Sequence, residues 1–190
     1  MEQSHDHAAS AVITIPNLLS FFRLLLIPVI VHMMIAENNT LWAAGLVVLS
    51  GLTDVVDGFI ARRFHMVSDL GKALDPIADK LTQVAVLACL TFRHPLMFLP
   101  LALLMLKEIA AAVIGLVVIR RTGQVYGADW HGKVATALLY TTMTLHLLWH
   151  PILPLFSMVS ILLCTAAIGF SCVCYTGKNL RLIRVGKAQE

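Results

Sequence analysis

The chain has 190 residues, of which 58% are apolar and only 13% are charged, and its mean hydropathy is +0.83. Soluble domains are about 45–50% apolar and about 25% charged, and so short a chain cannot enclose the excess in a core. A soluble globular protein is therefore excluded, and the formal net charge of +3 gives no indication of a nucleic-acid partner.

Six runs of mainly apolar residues are long enough to cross a membrane, and their separators are short and polar or helix-breaking. We therefore predict an all-α polytopic membrane protein whose single domain covers 1–190. It includes an N-terminal segment at 1–14, which lacks the Lys and Arg of a signal peptide, and a basic tail at 177–190. The predicted transmembrane helices lie at 15–36, 41–62, 71–92, 95–119, 131–149 and 151–176.

The loops carry their positive charge on one side, which predicts the orientation in the membrane. With six spans, nine Lys and Arg residues lie on the side of both termini, and only Arg93 lies on the other. Both termini are therefore expected to be cytoplasmic. The cations of the tail recur every three or four residues, which is consistent with a short helix on an anionic leaflet or with an ordinary positive tail. The nine are Arg62, Arg63, Lys72, Arg120, Arg121, Lys178, Arg181, Arg184 and Lys187.

Four aspartates interrupt the second and third predicted spans. An ionisable side chain in hydrocarbon costs about 2.5–3.5 kcal/mol on insertion scales, so four of them indicate a function. Asp54 and Asp57 share a helix face, and Asp75 and Asp79 share a face of the next helix because they are four residues apart. The loop between these spans is short and basic, so the helices should form an antiparallel hairpin whose acidic faces meet near the cytoplasmic surface.

Close carboxylates repel one another unless cations neutralise them, and their oxygens suit Mg²⁺, Mn²⁺ or Ca²⁺. Such ions beside a membrane commonly handle phosphates. Gly58 and Gly71 leave no side chain on the acidic faces, so a pyrophosphate can approach the backbone. Arg62 can bind phosphate oxygens through two hydrogen bonds. We therefore predict a hard divalent-metal site that handles phosphate, with two ions as the favoured number.

Two other interpretations remain open on the residues alone. In the first, the aspartates form salt bridges with nearby cations, although such pairs require neither glycines nor four acids on matching faces. In the second, the protein is a cation transporter, which explains the intramembrane acids but not the glycines or the arginine. The nearby cations are Arg62, Arg63, Lys72 and Lys80.

The hairpin resembles the signature of the CDP-alcohol phosphatidyltransferases. The run DVVDGFIAR at 54–62 is followed, after eight residues, by GKALDPIAD at 71–79, and all eight signature positions match. The resemblance implies six membrane helices, cytoplasmic termini and a homodimer. We accordingly expect an integral protein of the cytoplasmic (inner) membrane whose active site faces the cytoplasm.

The resemblance also implies transfer of a phosphatidyl group from CDP-diacylglycerol to an alcohol, with release of CMP. Asp54, Asp57 and Asp75 are expected to hold two Mg²⁺ or Mn²⁺ ions. Asp79 is expected to be the general base and to contact a metal as well. The residues expected to contact CDP-diacylglycerol are Asn17, Leu18, Leu19, Ser20, Gly58, Ala61, Arg62, Ser68 and Gly71.

The acceptor is predicted from three further motifs, IPNLL at 15–19, EI at 108–109 and GKVAT at 132–136. They resemble those of phosphatidylglycerophosphate synthases, which implies glycerol 3-phosphate as the acceptor. Cardiolipin synthase, which uses phosphatidylglycerol, is the nearest alternative, followed by phosphatidylinositol phosphate and phosphatidylserine synthases. A phosphorylated acceptor needs cations besides the metals. The candidates are Lys107, Lys133, Arg63 and Arg120.

Overall fold

The computed structural model describes residues 15–63, 69–122, 130–149 and 151–186, and all regular secondary structure in these residues is helical. Six α-helices follow one another, and a short 3-10 helix, Pro95–Met97, precedes the fourth. The all-α class and the six helices predicted from the sequence are confirmed. The α-helices are α1 (Ile15–Ile35), α2 (Thr40–Arg63), α3 (Asp69–Thr91), α4 (Phe98–Thr122), α5 (Trp130–Leu148) and α6 (Pro154–Gly186).

The last helix differs most from its predicted span. It begins at Pro154 rather than at Pro151, because a start at 151 would place Pro154 inside the helix, where its missing N–H would cost a hydrogen bond. At the first position of the helix that N–H needs no partner. It then continues to Gly186, so the residues predicted as a separate tail from 177 onward extend the same helix up to that point. The apolar sequence therefore ends before the helix does, and the backbone hydrogen bonds of the helix continue into the polar sequence.

Three helical segments in the described ranges are long and apolar enough to cross a membrane, which makes the chain an integral membrane protein. They are Asn17–Ile35, Pro95–Val118 and Pro154–Asn179, and Thr40–Asp54 is a shorter apolar helix. In α2 and α3 the aspartates interrupt the apolar sequence. Six membrane crossings remain a prediction.

The chain forms two compact units, residues 1–86 and 87–190. In the first unit α1 packs against α2, where small residues allow the two backbones to approach closely. α1 also lies beside α3, since Ile27 and Ile30 line a small apolar cavity together with Thr82. The buried core residues that α1 and α2 contribute are Leu26, Ile30, Met34, Ala43, Ala44 and Val47.

In the second unit α6 packs against both α4 and α5. α5 and α6 are antiparallel, because Gly132 faces Ser171 near one end and His146 contacts Ser157 near the other. Buried apolar residues of both helices fill the interface between them. They are Leu139, Met143 and Leu147 of α5 and Ile161, Cys164 and Ile168 of α6.

Candidate active site

Arg23 of α1 joins two of the predicted metal-ligating aspartates. Its side chain is only 1% exposed, and its Nη1 lies 2.5 Å from Oδ1 of Asp54 in α2. Its Nη2 donates a hydrogen bond of 3.2 Å to Oδ1 of Asp75 in α3. One buried cation therefore brings two carboxylates from separate helices to the same point in the first unit.

Residues one and two turns before Arg23 complete this face of α1. The Ser20 hydroxyl, which is fully buried, donates a hydrogen bond to Oδ1 of Asp75. Asn17 is also buried, at the start of the same face, whereas Leu18 is exposed and Leu19 is half-buried. The spacing of three residues from 17 to 20 to 23 keeps the polar side chains on one side of the helix.

Asp79, the predicted base, lies one turn after Asp75 on α3 and has a partner on the same helix. Gln83 Nε2 donates a hydrogen bond of 2.8 Å to Oδ2 of Asp79. Gln83 is completely buried, and its Oε1 has no hydrogen-bond partner among the described residues. Because the amide is enclosed, this bond restricts the rotation of the Asp79 carboxylate.

The charges of this cluster act on one another. Asp54 experiences the attraction of Arg23 and the repulsion of both Asp79 and Asp75. Asp54 and Asp75 are 47% and 36% exposed, so their remaining oxygen lone pairs are accessible to a ligand. These carboxylate oxygens, which lie close together and are partly exposed, are the ligand type that a hard divalent ion prefers. Within the described part of the chain, no three such side chains stand close enough to hold an ion by themselves.

The remaining signature residues lie on the helices that carry these aspartates. Asp57, Gly58, Ala61 and Arg62 belong to the last turns of α2, and Gly71 belongs to the first turn of α3. Their side chains are outside the described part of the structure, and Ser68 lies outside the described residues altogether. Their predicted roles remain predictions.

The predicted acceptor cations have different surroundings. Lys107 of α4 is 14% exposed, and its Nζ lies 3.1 Å from Oε1 of the neighbouring Glu108. Lys133 is exposed near the start of α5, and Arg63 and Arg120 are exposed near the ends of α2 and α4. Lys107 thus already has an anionic partner.

A family model, that of CDP-alcohol phosphatidyltransferases, matches residues 13–172. The chain belongs to this family. CDP-alcohol phosphatidyltransferases are membrane transferases of phospholipid biosynthesis that use CDP-alcohol substrates and are generally dependent on a divalent metal. The resemblance found in the hairpin is confirmed at the level of the family, and the match extends over both compact units.

Named relatives of this chain differ in the acceptor that their names imply. It is 36% identical to a cardiolipin synthase (CMP-forming) of Streptomyces coelicolor, over 72% of this chain and 66% of that protein. It is 46% identical to the human cardiolipin synthase (CMP-forming), over 42% of this chain and 26% of that protein. It is 36% identical to a CDP-diacylglycerol–glycerol-3-phosphate 3-phosphatidyltransferase of Rickettsia typhi, over 50% of this chain and 54% of that protein. The chain thus matches less than two thirds of the length of each of these relatives.

Gln83 was not predicted from the sequence as a site residue, and Arg23 was noted only because it resembles a position of the family's N-terminal element, without a role beside the aspartates. Arg23 stands in an apolar run, and an ionisable side chain in a membrane helix without a nearby partner is itself a signal. Gln83 lies four residues after Asp79, a spacing that brings side chains together on a helix. The cation found beside Asp54 and Asp75 is Arg23, which was not among the four considered for salt bridges.

Arg23 should stabilise the metal-free protein because it offsets repulsion between the carboxylates. We expect Arg23→Gln to lower the free energy of unfolding by about 1.5–3 kcal/mol, the contribution of hydrogen bonds to charged groups. Saturating Mg²⁺ should recover part of this loss, since the ion supplies positive charge at the same oxygens. Thermal unfolding in detergent, with Mg²⁺ and with EDTA, measures both effects. Arg63→Gln, which removes an exposed charge in the same unit, is the control. An equal loss of stability in Arg23→Gln with and without Mg²⁺ would contradict the placing of the ion at these carboxylates.

Proposed function

We propose that this chain transfers the phosphatidyl group of CDP-diacylglycerol to an acceptor that contains glycerol phosphate, releasing CMP. The observation that carries the proposal is the contact of buried Arg23 with both Asp54 and Asp75, two signature carboxylates on different helices. Membership of the family favours this activity over the cation transporter that the acids alone also suggested.

In the proposed reaction, a bond forms between the acceptor oxygen and the phosphatidyl phosphorus, and the bond from that phosphorus to CMP breaks. The proton of the acceptor hydroxyl passes to the Asp79 carboxylate. Two Mg²⁺ or Mn²⁺ ions, when bound, neutralise the pyrophosphate and stabilise the departing CMP. Asp54, Asp57 and Asp75 would hold these ions, and Asp79 would also contact one of them.

Several neighbouring side chains position the carboxylates for metal binding and proton transfer. Arg23 keeps Asp54 and Asp75 together before the ions bind, and Ser20 fixes the orientation of Asp75. Gln83 holds one oxygen of Asp79 and so directs the carboxylate toward the acceptor. Groups that orient metal ligands in this way typically change metal affinity about 10–100-fold when they are removed.

The proposed contacts to CDP-diacylglycerol lie on the polar face of α1 and on the signature. On α1, buried Asn17 and Ser20 point the same way as Arg23, whereas Leu18 and Leu19 are more exposed and suit the lipid chains. Arg62 binds phosphate, and the small residues allow the nucleotide to approach the helices. The signature residues assigned to this substrate are Gly58, Ala61, Arg62, Ser68 and Gly71.

We infer that the protein crosses the inner membrane six times and has both termini in the cytoplasm. The active site then faces the cytoplasm. The excess of Lys and Arg in alternate loops supports this orientation. The antiparallel packing of α5 against α6 is also what successive crossings require. A single catalytic domain over the whole chain and a homodimer complete the proposal.

The acceptor is proposed to be a glycerol phosphate with a free primary hydroxyl. Glycerol 3-phosphate has this group as a soluble dianion, and phosphatidylglycerol presents it on a lipid as a monoanionic diester. The motifs at 15–19, 108–109 and 132–136 favour the soluble acceptor. The name of the Streptomyces relative, which aligns with 72% of this chain, favours the lipid acceptor. The pairing of Lys107 with Glu108 also favours it, since a monoanion needs fewer unpaired cations.

We therefore propose phosphatidylglycerol as the acceptor, with glycerol 3-phosphate as the second candidate. Purified protein with CDP-diacylglycerol and Mg²⁺ should release CMP when phosphatidylglycerol is supplied in mixed micelles, and the lipid product should be cardiolipin. CMP release with glycerol 3-phosphate alone would reverse this choice without affecting the proposed phosphatidyl transfer. Absence of CMP release with these two acceptors, serine and inositol phosphate would reject the proposed function.

Lys133 is proposed to bind the phosphate of the acceptor. Loss of one charge-assisted contact costs about 1.5–3 kcal/mol, so Lys133→Gln should raise the acceptor KM about tenfold or more. The KM for CDP-diacylglycerol should change little, because the substitution leaves the signature residues intact. Lys178→Gln, an exposed lysine on α6, is the matched control. An unchanged acceptor KM in Lys133→Gln would remove this residue from the site.

A further inference from the structure

A pocket with both polar and apolar lining lies in the second compact unit, where α3 ends and α6 begins. It has a volume of about 310 Å³, which lies at the lower limit of typical small-molecule pockets. None of the residues predicted from the sequence for the transferase lines it. Its polar wall consists of Arg93, His94 and Ser157.

Hydrogen bonds and a ring contact to His146 hold part of this wall in place. His146 is buried, and its Nδ1 lies 2.8 Å from the backbone oxygen of Thr142, to which it must donate. In the neutral ring Nε2 is then an acceptor, so the Ser157 hydroxyl, 2.9 Å away, donates to it. The rings of His94 and His146 pack edge to face with centroids 5.0 Å apart. The Ser157 and His94 side chains of the polar wall are therefore held in place.

The remaining wall of the pocket is apolar. Leu96 and Met158 line it and are 45% and 42% exposed, and the buried Ile161 also lines it. Further exposed apolar side chains flank it on the same elements, among them Phe98 and Leu155. In a membrane protein such surfaces contact lipid chains, so an occupant can extend out of the pocket along them.

We propose that this pocket binds the phosphodiester headgroup of an anionic phospholipid. Arg93 supplies the cation for the phosphate, His94 and Ser157 provide polar contacts for the rest of the headgroup, and the apolar wall receives the first part of the acyl chains. A soluble phosphate has no acyl chain that could contact the apolar wall. In the six-span topology, the two loops that form the pocket lie on the non-cytoplasmic side.

Binding of phosphatidylmethanol to the full chain tests the proposal. This lipid is a monoanionic phosphodiester without an acceptor hydroxyl, so it probes the pocket independently of the proposed transferase reaction. Native mass spectrometry of the delipidated protein, without metal or CDP-diacylglycerol, should show stronger binding of this lipid than of zwitterionic phosphatidylcholine. Glycerol 3-phosphate and inorganic phosphate, tested separately, should not compete for it.

Two variants assign the binding to this pocket. Arg93→Gln should weaken phosphatidylmethanol binding about tenfold or more, and Lys178→Gln, which removes a cation elsewhere in the same unit, should not. Met158→Gln keeps every charge but makes the apolar wall polar, and it should weaken binding about fourfold. Unchanged binding in both pocket variants, equal losses in Arg93→Gln and Lys178→Gln, or displacement by free phosphate would each overturn the proposal.

Discussion

Replacing Asp75 with Asn should reduce phosphatidyl transfer by at least about 10³-fold. The substitution preserves the shape of the side chain but removes the charge that holds a divalent ion, whose contribution to such reactions is several kcal/mol. In the structure this carboxylate also accepts hydrogen bonds from Ser20 and Arg23, so it connects α3 to α1. Loss of its charge therefore affects both the ion and the preformed cluster.

Two measurements separate the loss of the ion from damage to the fold. Mn²⁺ binding, followed by electron paramagnetic resonance, should weaken in Asp75→Asn together with turnover. Ser20→Ala, which leaves the carboxylate in place, should lower Mn²⁺ affinity only about 10–100-fold. Glu37→Gln makes the same chemical change at an exposed acid in the α1–α2 loop, and it should behave like the unmodified protein. Normal Mn²⁺ affinity in Asp75→Asn would refute the assignment of this residue as a ligand.

The helices could be predicted from the sequence because hydropathy and short polar separators are local signals. The end of α6 could not, because its polar last turns continue a helix that begins in apolar sequence. Membrane crossings by α2 and α3 are predicted from the sequence and remain predictions. Their aspartates lower the hydropathy of segments that still form long helices.

The aspartates of the candidate site were predicted because they share a local pattern, whereas Asn17 and Ser20 were predicted only through the resemblance to the family. Asp54 and Asp75 belong to one signature within a hairpin, so their spacing alone indicates that they meet. Arg23 is 31 and 52 positions away from them, and a contact over such a distance depends on how α1 packs. The contact of Gln83 with Asp79 could have been predicted, because the two residues are four positions apart on a helix. An amide at this spacing from a carboxylate is common, however, so it does not by itself indicate a functional residue.

Replacing Asp79 with Asn should lower kcat by about 10²–10⁴, the usual contribution of a general base. The amide keeps the size of the side chain and can still pair with Gln83, so CDP-diacylglycerol binding and the fold should be largely preserved. The expected kinetic result is a lower kcat with a nearly unchanged KM for CDP-diacylglycerol, measured by CMP release. Near-normal turnover in this variant would show that another group accepts the proton.

Gln83→Met tests whether the buried amide orients this base or only fills space. Methionine has a similar length but no N–H, so the Asp79 carboxylate loses its donor while the packing volume is kept. We expect kcat to fall about tenfold, since hydrogen bonds to charged groups contribute about 1.5–3 kcal/mol. Stability should not fall with it, because the substitution also removes a buried Oε1 that has no partner among the described residues. A lower melting temperature with unchanged kcat would indicate a structural role instead.

The double variant Asp79→Asn, Gln83→Met gives a further test. If the amide acts through the base, the kcat of the double variant should be little lower than that of Asp79→Asn alone.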